Sequence, residues 1–276
     1  MRALNRPTSW WGWHWEPPTP MSIIELIEAG NMDSRLAALF WVAMEKGASL
    51  IIAAEPPSSG KTTTLSALMS FTHPDTFVYF TQGEGEQFLL PPVTEAHHTY
   101  ILVNEMSDHI PVYTWDDNAR QVFRLLSEGY RLGTTMHDET AEGVLGQLEG
   151  QLAIPPSHIS HLTFVVPMYI GRREGSGIIR RVQEVTMLQQ KGDGYKLMKC
   201  AEWDSAADTF AVLKDENALR AFSAWAEMTP EEVEAQLRER AAFLDDLRAR
   251  GLREIPVVTE AILERGGWSP VQESEG

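Results

Sequence analysis

The segment Glu55-Pro56-Pro57-Ser58-Ser59-Gly60-Lys61-Thr62 stands between a short apolar run, Ser49 to Ala54, and a helix-like stretch, KTTTLSALMSF. A phosphate is held by consecutive backbone N–H groups at a helix N-terminus, a lysine that reaches the outer phosphates and a hydroxyl able to hold Mg²⁺. Gly60, Lys61 and Thr62 supply these in order, with Ser58, Ser59 and Thr63 as flanking donors. The pattern G-x-x-x-x-G-K-[ST] is met except at its first position, where Glu55 replaces glycine. A side chain there gives up glycine's conformational freedom and sets a negative charge near phosphate, so reduced affinity is expected. Read without this chemistry, SSGKT is a polar turn capping a helix.

Two further segments end in groups that can act on a bound nucleotide. Ile101-Leu102-Val103-Asn104-Glu105 reads as an apolar strand closing on a carboxylate, the place where a phosphate-loop fold manages Mg²⁺ and the attacking water; Glu105 is the candidate base. Gly133-Thr134-Thr135-Met136-His137 reads as another strand, ending in a histidine. Taken alone, Glu105 is a solvated carboxylate at a strand end and His137 a structural or simply exposed histidine. With the phosphate loop upstream, all three strand ends fall on one sheet edge, and His137 becomes a candidate sensor of the outer phosphate.

The elements that must position these groups alternate between strands and helices. SIIELIEAG and SRLAALFWVAMEKG read as helices, the second with Leu36, Leu39, Phe40 and Met44 on one face and Gly47 as its stop. SLIIAA, TFVYF (76 to 80) and TYILVNE (99 to 105) are short apolar runs of the kind covered on both faces, which is the grammar of a parallel α/β sheet. Two helices, in DDNARQVFRLLSEG and ETAEGVLGQLEGQL, flank RLGTTMH. After Pro155, LTFVVPMYIG, GIIRRVQEVTML and GYKLMKCAEW suggest an antiparallel β meander. From residue 216 the chain is helical, with Thr229 as N-cap, Pro230 at N1, acids in the first turn and Gly251 as the stop of a long helix. The expected division is an N-terminal arm over 1–20, a core with its meander over 21–215 and a helical region over 216–276. In the arm, Trp11, Trp13 and Trp15 alternate at strand period, either folding back on the domain or offering a docking strip to another subunit.

Composition narrows the function classes. The 276 residues carry 39 acidic and 23 basic side chains, a formal charge of -16, which argues against duplex nucleic acid as the main partner. Cys200 is the single cysteine, so no intrachain disulfide forms and a reducing, cytoplasmic setting is expected. No apolar run reaches the roughly 18 residues of a membrane span and no secretory leader is visible, so any membrane association is expected to be peripheral.

The three motifs, in this order, resemble the secretion ATPase superfamily, the hexameric motors of type II and type IV secretion, type IV pili and archaella. Typical members carry a loop ending SGKTTTL, a strand ending GE followed by an arginine, and a TT-x-H box. The likeness is closest to the archaeal-type branch, through Thr19-Pro20, Ile24 to Ile27, Phe40-Trp41, Glu45 and Gly47, and it resumes in SGIIRRVQEV and RAAFLDDLRARGLREIP. It implies a RecA-like core binding ATP and Mg²⁺, self-association or assembly with a related ATPase in a ring, and contact with a membrane platform protein. It also implies that Lys61 neutralises phosphate, Thr62 holds Mg²⁺, Glu105 handles water and His137 signals to a neighbouring subunit. The chain departs from the pattern where Asn104 replaces the glycine before the glutamate and Ser107 the arginine after it. Gln82-Gly83 stand where Glu-Asp is usual, with Glu84 and Glu86 nearby. The basic insert usual before the Glu105 strand is also lacking, and with about 20 residues ahead of the motor-like region no separate N-terminal domain is expected. An arginine acting on transition-state charge contributes about 10³ to 10⁵ in rate, so binding with slow hydrolysis is expected. The alternative is a catalytically degenerate scaffold or regulator beside an active motor.

Overall fold

The computed structural model describes residues 1–7, 20–92, 94–173, 175 and 177–267. The Trp11, Trp13 and Trp15 strip lies outside the described residues. Ahead of it, β1 (Arg2–Ala3) pairs in parallel with the sheet edge, an element the sequence pattern did not announce.

The first two helices are α1 (Ile23–Glu28), capped by a reciprocal Ser22–Glu25 box, and α2 (Ser34–Glu45), capped by Asp33. Each cap satisfies backbone N–H groups that a helix start leaves unpaired. The chain then enters β2 (Leu50–Ala53), α3 (Lys61–Leu68), β3 (Phe77–Phe80), β4 (Thr99–Leu102), α4 (Asp116–Ser127), β5 (Arg131–Met136), α5 (Ala141–Gly146) and α6 (Pro156–Ile159). A long strand, β6 (Phe164–Arg173), leads into β7 (Gly177–Val182), β8 (Glu184–Lys191), β9 (Gly194–Asp204) and β10 (Thr209–Val212). The helices α7 (Glu216–Ala226), α8 (Pro230–Ala249) and α9 (Ile255–Arg265) follow.

The sheet order is β1-β3-β4-β5-β2-β6-β8-β9-β10, and every pairing from β1 through β6 is parallel. Counted from the loop-bearing strand β2, the core runs second, third, fourth, first, fifth, so β5 separates β2 from the Glu105 strand. This is the RecA-like arrangement the sequence reading expected. Alternate residues of each strand feed opposite layers. Leu50 and Ile52 of β2 pack with α1, α2, α3 and α7 to α9, while Ile51 and Ala53 pack with α4 to α6. That is why the core strands read as continuous apolar runs.

Two boundaries differ from the sequence expectation. LTFVVPMYIG is not purely part of an antiparallel meander: its first half is the fifth parallel core strand, paired with β2 from Leu50↔Phe164 to Ala53↔Pro167. Beyond Pro167, whose ring removes a ladder donor, the strand leaves β2 and pairs antiparallel with β7 from Met168↔Val182. Nor does the strand of Tyr100 run to Glu105. It ends at Leu102, and the chain rejoins β5 at a single bridge, Met106↔Met136.

Helix α2 is buried on all sides from Leu36 to Met44, not on one face, because α8 covers the side turned away from the sheet. Trp41 anchors that contact. It stacks on Phe71 at 5.1 Å, meets Phe243 edge-on and lies under the Arg240 guanidinium at 4.9 Å. Arg240 is paired with Glu45 at 2.6 Å, and Glu45 accepts the Trp41 indole N–H. The helices after residue 216 therefore share one apolar core with the sheet. Their long member starts on a Thr229–Glu232 capping box, as the TPEE sequence anticipates.

Candidate functional site

The C-terminal ends of β2, β4 and β5 lie side by side, where open parallel sheets place their ligands. The loop after β2 brings Ser58 and Gly60 into left-handed backbone conformations, with φ of 58° and 94°. Gly60 is left-handed, the backbone state that favours glycine, and its surroundings are close. A Cβ there would come within 3.3 Å of the Arg180 side chain and 3.6 Å of Met168. Glu55, at the position of the usual first glycine, has no positive φ. The sequence argument from lost conformational freedom therefore does not hold, and what remains of it is the charge.

Lys61 opens α3 and is buried at 6% exposure, with Nζ donating to the Ala54 carbonyl at 3.0 Å. Burial pushes its ammonium below the ordinary lysine value, and the carboxylates of Glu105 and Glu55 partly offset that. Thr62 and Thr63 are partly exposed on the first turn of α3. Ser59 is buried, and its hydroxyl has no partner among the described residues. An unpaired buried hydroxyl costs free energy unless something supplies a hydrogen bond. Together with a cationic Nζ holding donors to spare and the N–H groups that open α3, this donor set fits phosphate oxygens with their Mg²⁺ on Thr62.

Glu105 reaches the site through a bulge. Between the pairings Leu102↔Gly133 and Met106↔Met136, four steps on its chain face three on β5. The extra residue takes the strand out of register. The Asn104 carbonyl accepts from Thr135 Oγ1, its amide donates to Val112 O, and Thr114 N donates to Glu105 O, so the bulge is pinned on both sides.

The Glu105 carboxylate meets His137, with Oε1 3.0 Å from Nε2, and also accepts from Ser107 Oγ at 3.3 Å. Burial raises the Glu105 carboxyl, but the His137 hydrogen bond and charge, Lys61 and Ser107 outweigh it and leave the group below its usual range. His137 is moved up, chiefly by the bond to Glu105 against the opposing effect of burial. Its other nitrogen, Nδ1, lies 2.9 Å from the Glu55 carbonyl, and its own carbonyl accepts from Gln147 Nε2. The imidazole thus joins the loop after β2 to the strand end of β5. Of the sequence candidates, Lys61, Glu105 and His137 lie within mutual electrostatic reach, and Ser58, Ser59, Gly60, Thr62 and Thr63 form the adjoining loop and turn.

Three groups at the site went unmarked in sequence. Arg180, on β7, donates from Nε to Ser58 O at 2.9 Å and sets a cation beside the loop. Its signal lay in the GIIRRV stretch, but only the β6–β7 hairpin carries it there. Its neighbour Arg181 is buried and donates from Nε and Nη2 to the two Asp208 carboxylate oxygens at 2.9 Å, which fixes the strand. His109, on the loop after Glu105, has its ring 5.3 Å from that of His137.

No family model matches the chain. An uncharacterized protein of Methanocaldococcus jannaschii, MJ0900, is 22% identical over 276 residues, covering 88% of this chain and 48% of its own length. The chain thus spans about half of that relative. A second uncharacterized protein of the same organism, MJ1287, is 22% identical over 257 residues, covering 81% of this chain and 90% of its own length. Among solved structures, the VirB11 ATPase of the Brucella suis type IV secretion system, in complex with sulphate, is similar at 21% identity. It has a TM-score of 0.40 and covers 59% of this chain and 54% of its own. Among the described residues, no helix is long and apolar enough to cross a membrane.

Proposed function

We propose that this protein is a nucleotide-binding RecA-like ATPase of the secretion and pilus motor type, binding Mg·ATP at the edge formed by β2, β4 and β5. The observation that carries this reading is the convergence of a buried lysine, a buried carboxylate and a histidine just beyond the C-terminal ends of three parallel strands, beside a left-handed glycine loop. The motif order SGKTTTL, Glu105, TT-x-H supports the same class. In this reading Lys61 and the α3 N-terminus hold the outer phosphates. Thr62 holds the magnesium ion, which when bound neutralises phosphate charge. Glu105 orients the attacking water and takes its proton. His137, tied to the loop through the Glu55 carbonyl, transmits the state of the site to a neighbouring subunit in a ring, and the motor works against a membrane platform.

One observation favours a second reading, a regulatory or scaffold subunit that binds nucleotide without turning it over. The Glu105 carboxylate is already engaged by His137 and Ser107, and the motif arginine is Ser107. Nucleotide titration paired with phosphate release separates the two readings. The motor reading expects Mg·ATP binding with turnover below about 1 s⁻¹, and Glu105→Gln should abolish turnover while leaving affinity nearly intact. Binding without any release of phosphate selects the scaffold. Brisk hydrolysis that survives Glu105→Gln removes Glu105 from the chemistry.

A further inference from the structure

Among the described residues, two groups of side chains each bring three potential metal-ligating atoms within 4.8 Å of one another: Glu95, His97 and His98, and Glu105, His109 and His137. The first lies exposed just ahead of β4, at the opposite sheet edge from the phosphate loop. The second contains His109, a residue for which the nucleotide reading has no use, and it combines a buried carboxylate with a half-buried and an exposed imidazole.

The hydrogen-bond pattern at His137 restricts what its ring can be. The Glu55 carbonyl can only accept, so the 2.9 Å contact assigns a proton to Nδ1. Nε2 then faces an acceptor-only carboxylate oxygen at 3.0 Å, and the two lone pairs need a cation between or beside them. A second proton meets that need for the pair alone and leaves the exposed His109 outside it. A metal ion accounts for all three. Ligands at the roughly 2.0 to 2.1 Å of zinc–nitrogen and zinc–oxygen bonds lie about 3.3 Å apart in a tetrahedron; Glu105 and His137 stand at 3.0 Å, and the His109 donor lies within 4.8 Å of both. A metal-bound histidine characteristically donates its other N–H to a backbone carbonyl, as His137 does. The Ser107 hydroxyl donates to Glu105 Oε1 and accepts from the His109 backbone N–H at 3.4 Å, which ties the two chain positions together. Exposure of His109 leaves a path from solvent.

We propose that Glu105, His109 and His137 form a binding site for one divalent transition metal of the zinc class, distinct in ligand chemistry from the magnesium that accompanies a nucleotide. Two imidazoles and one carboxylate suit zinc or cobalt, whereas magnesium favours oxygen ligands and keeps much of its water. Occupation ties up the carboxylate assigned to water activation, so zinc acts as an inhibitor of turnover. That consequence rests on the nucleotide reading, whereas metal binding itself does not.

The test uses the full chain, free of any histidine tag and stripped of metal, in a His97→Ala/His98→Ala background that disables the other cluster. Titration with Co²⁺ alone, followed by its visible absorption, should reach one equivalent, be displaced by Zn²⁺ and be unaffected by millimolar Mg²⁺. Adding His109→Ala should weaken Co²⁺ binding by about tenfold or more while leaving the Mg·ATP thermal shift unchanged, and zinc inhibition of phosphate release should disappear with it. Undiminished Co²⁺ binding in His109→Ala, or no stoichiometric binding in the His97→Ala/His98→Ala protein, overturns the proposal. Binding that depends on His109 without any Mg·ATP shift sustains the metal site and refutes the nucleotide reading; the converse sustains the nucleotide reading alone.

Discussion

Replacing Lys61 with methionine tests whether this lysine is held for a ligand or for the fold. The residue is 6% exposed, and its ammonium has one carbonyl partner among the described residues and sits where burial pulls its pKa down. The lowered pKa means that burial costs this charge more than its partners return, so an apolar chain of similar length should be neutral or stabilising; the gain of up to about 4 kcal/mol known for whole buried ion pairs replaced by apolar side chains bounds the effect. Unfolding a chain of 276 residues carries an entropy near 0.6 kcal/mol/K, from about 2.1 cal/mol/K per residue. Lys61→Met should therefore leave the melting temperature of the ligand-free protein unchanged or raise it by up to roughly 7 °C. The same entropy sizes the ligand effect. Mg·ATP at a hundred times its Kd stabilises by about 2.7 kcal/mol, a rise of about 5 °C. The variant should lose that increment while starting equal or higher. Differential scanning fluorimetry of both proteins across an ATP series, at fixed Mg²⁺, reads both effects at once. A lower melting temperature without ligand would refute the reasoning, because Lys61 would then be a structural anchor for the Ala54 carbonyl. An intact ATP shift in the variant would refute its phosphate role.

Other outcomes follow from the pairs around the site. His137 should titrate above the ordinary histidine value of about 6.5 in histidine NMR spectra, and Glu105→Gln should bring it down; an unmoved midpoint would mean that the pair does not form. In stability terms, the raised His137 contributes fully below about 6.5 and loses its share as pH climbs through its folded pKa, while the lowered Glu105 contributes above about 4.3 and loses its share as pH falls. The pair should therefore stabilise most at mildly acidic pH, a maximum that Glu105→Gln flattens in denaturant midpoints measured against pH. Asp208→Ala should cost about 3 kcal/mol, the low end for a broken buried pair because Asp208 is partly exposed, and lower the melting temperature by about 5 °C. It strands the buried Arg181 and so loosens the β7 strand from which Arg180 reaches the phosphate loop. Arg181 and Arg173 hold the Asp208 carboxyl well below the usual range, so this contribution persists above about 3.9 and fades only as pH falls towards its folded value.

Local signals wrote much of this protein into its sequence. Runs such as SLIIAA and TFVYF could only be strands covered on both faces, TPEE and Gly251 marked the long helix, and SSGKTTTL placed a lysine and hydroxyls on the first turn of a helix. Each depends on residues within a few positions of one another, through backbone propensity, capping and period-two burial. What the sequence left undecided needed contacts far apart in the chain. LTFVVPMYIG became a parallel core strand because β2 had an open edge, and Pro167 then turned it towards β7. Helix α2 was buried all round because α8, some two hundred residues later, covered it. Glu105 faced His137 only after a bulge, set by pairing with β5, shifted its register. Arg180 and His109 came to the site by the same route, one on a hairpin and one on a loop, because which side chains share a sheet edge follows from strand order, and strand order is a property of the whole chain.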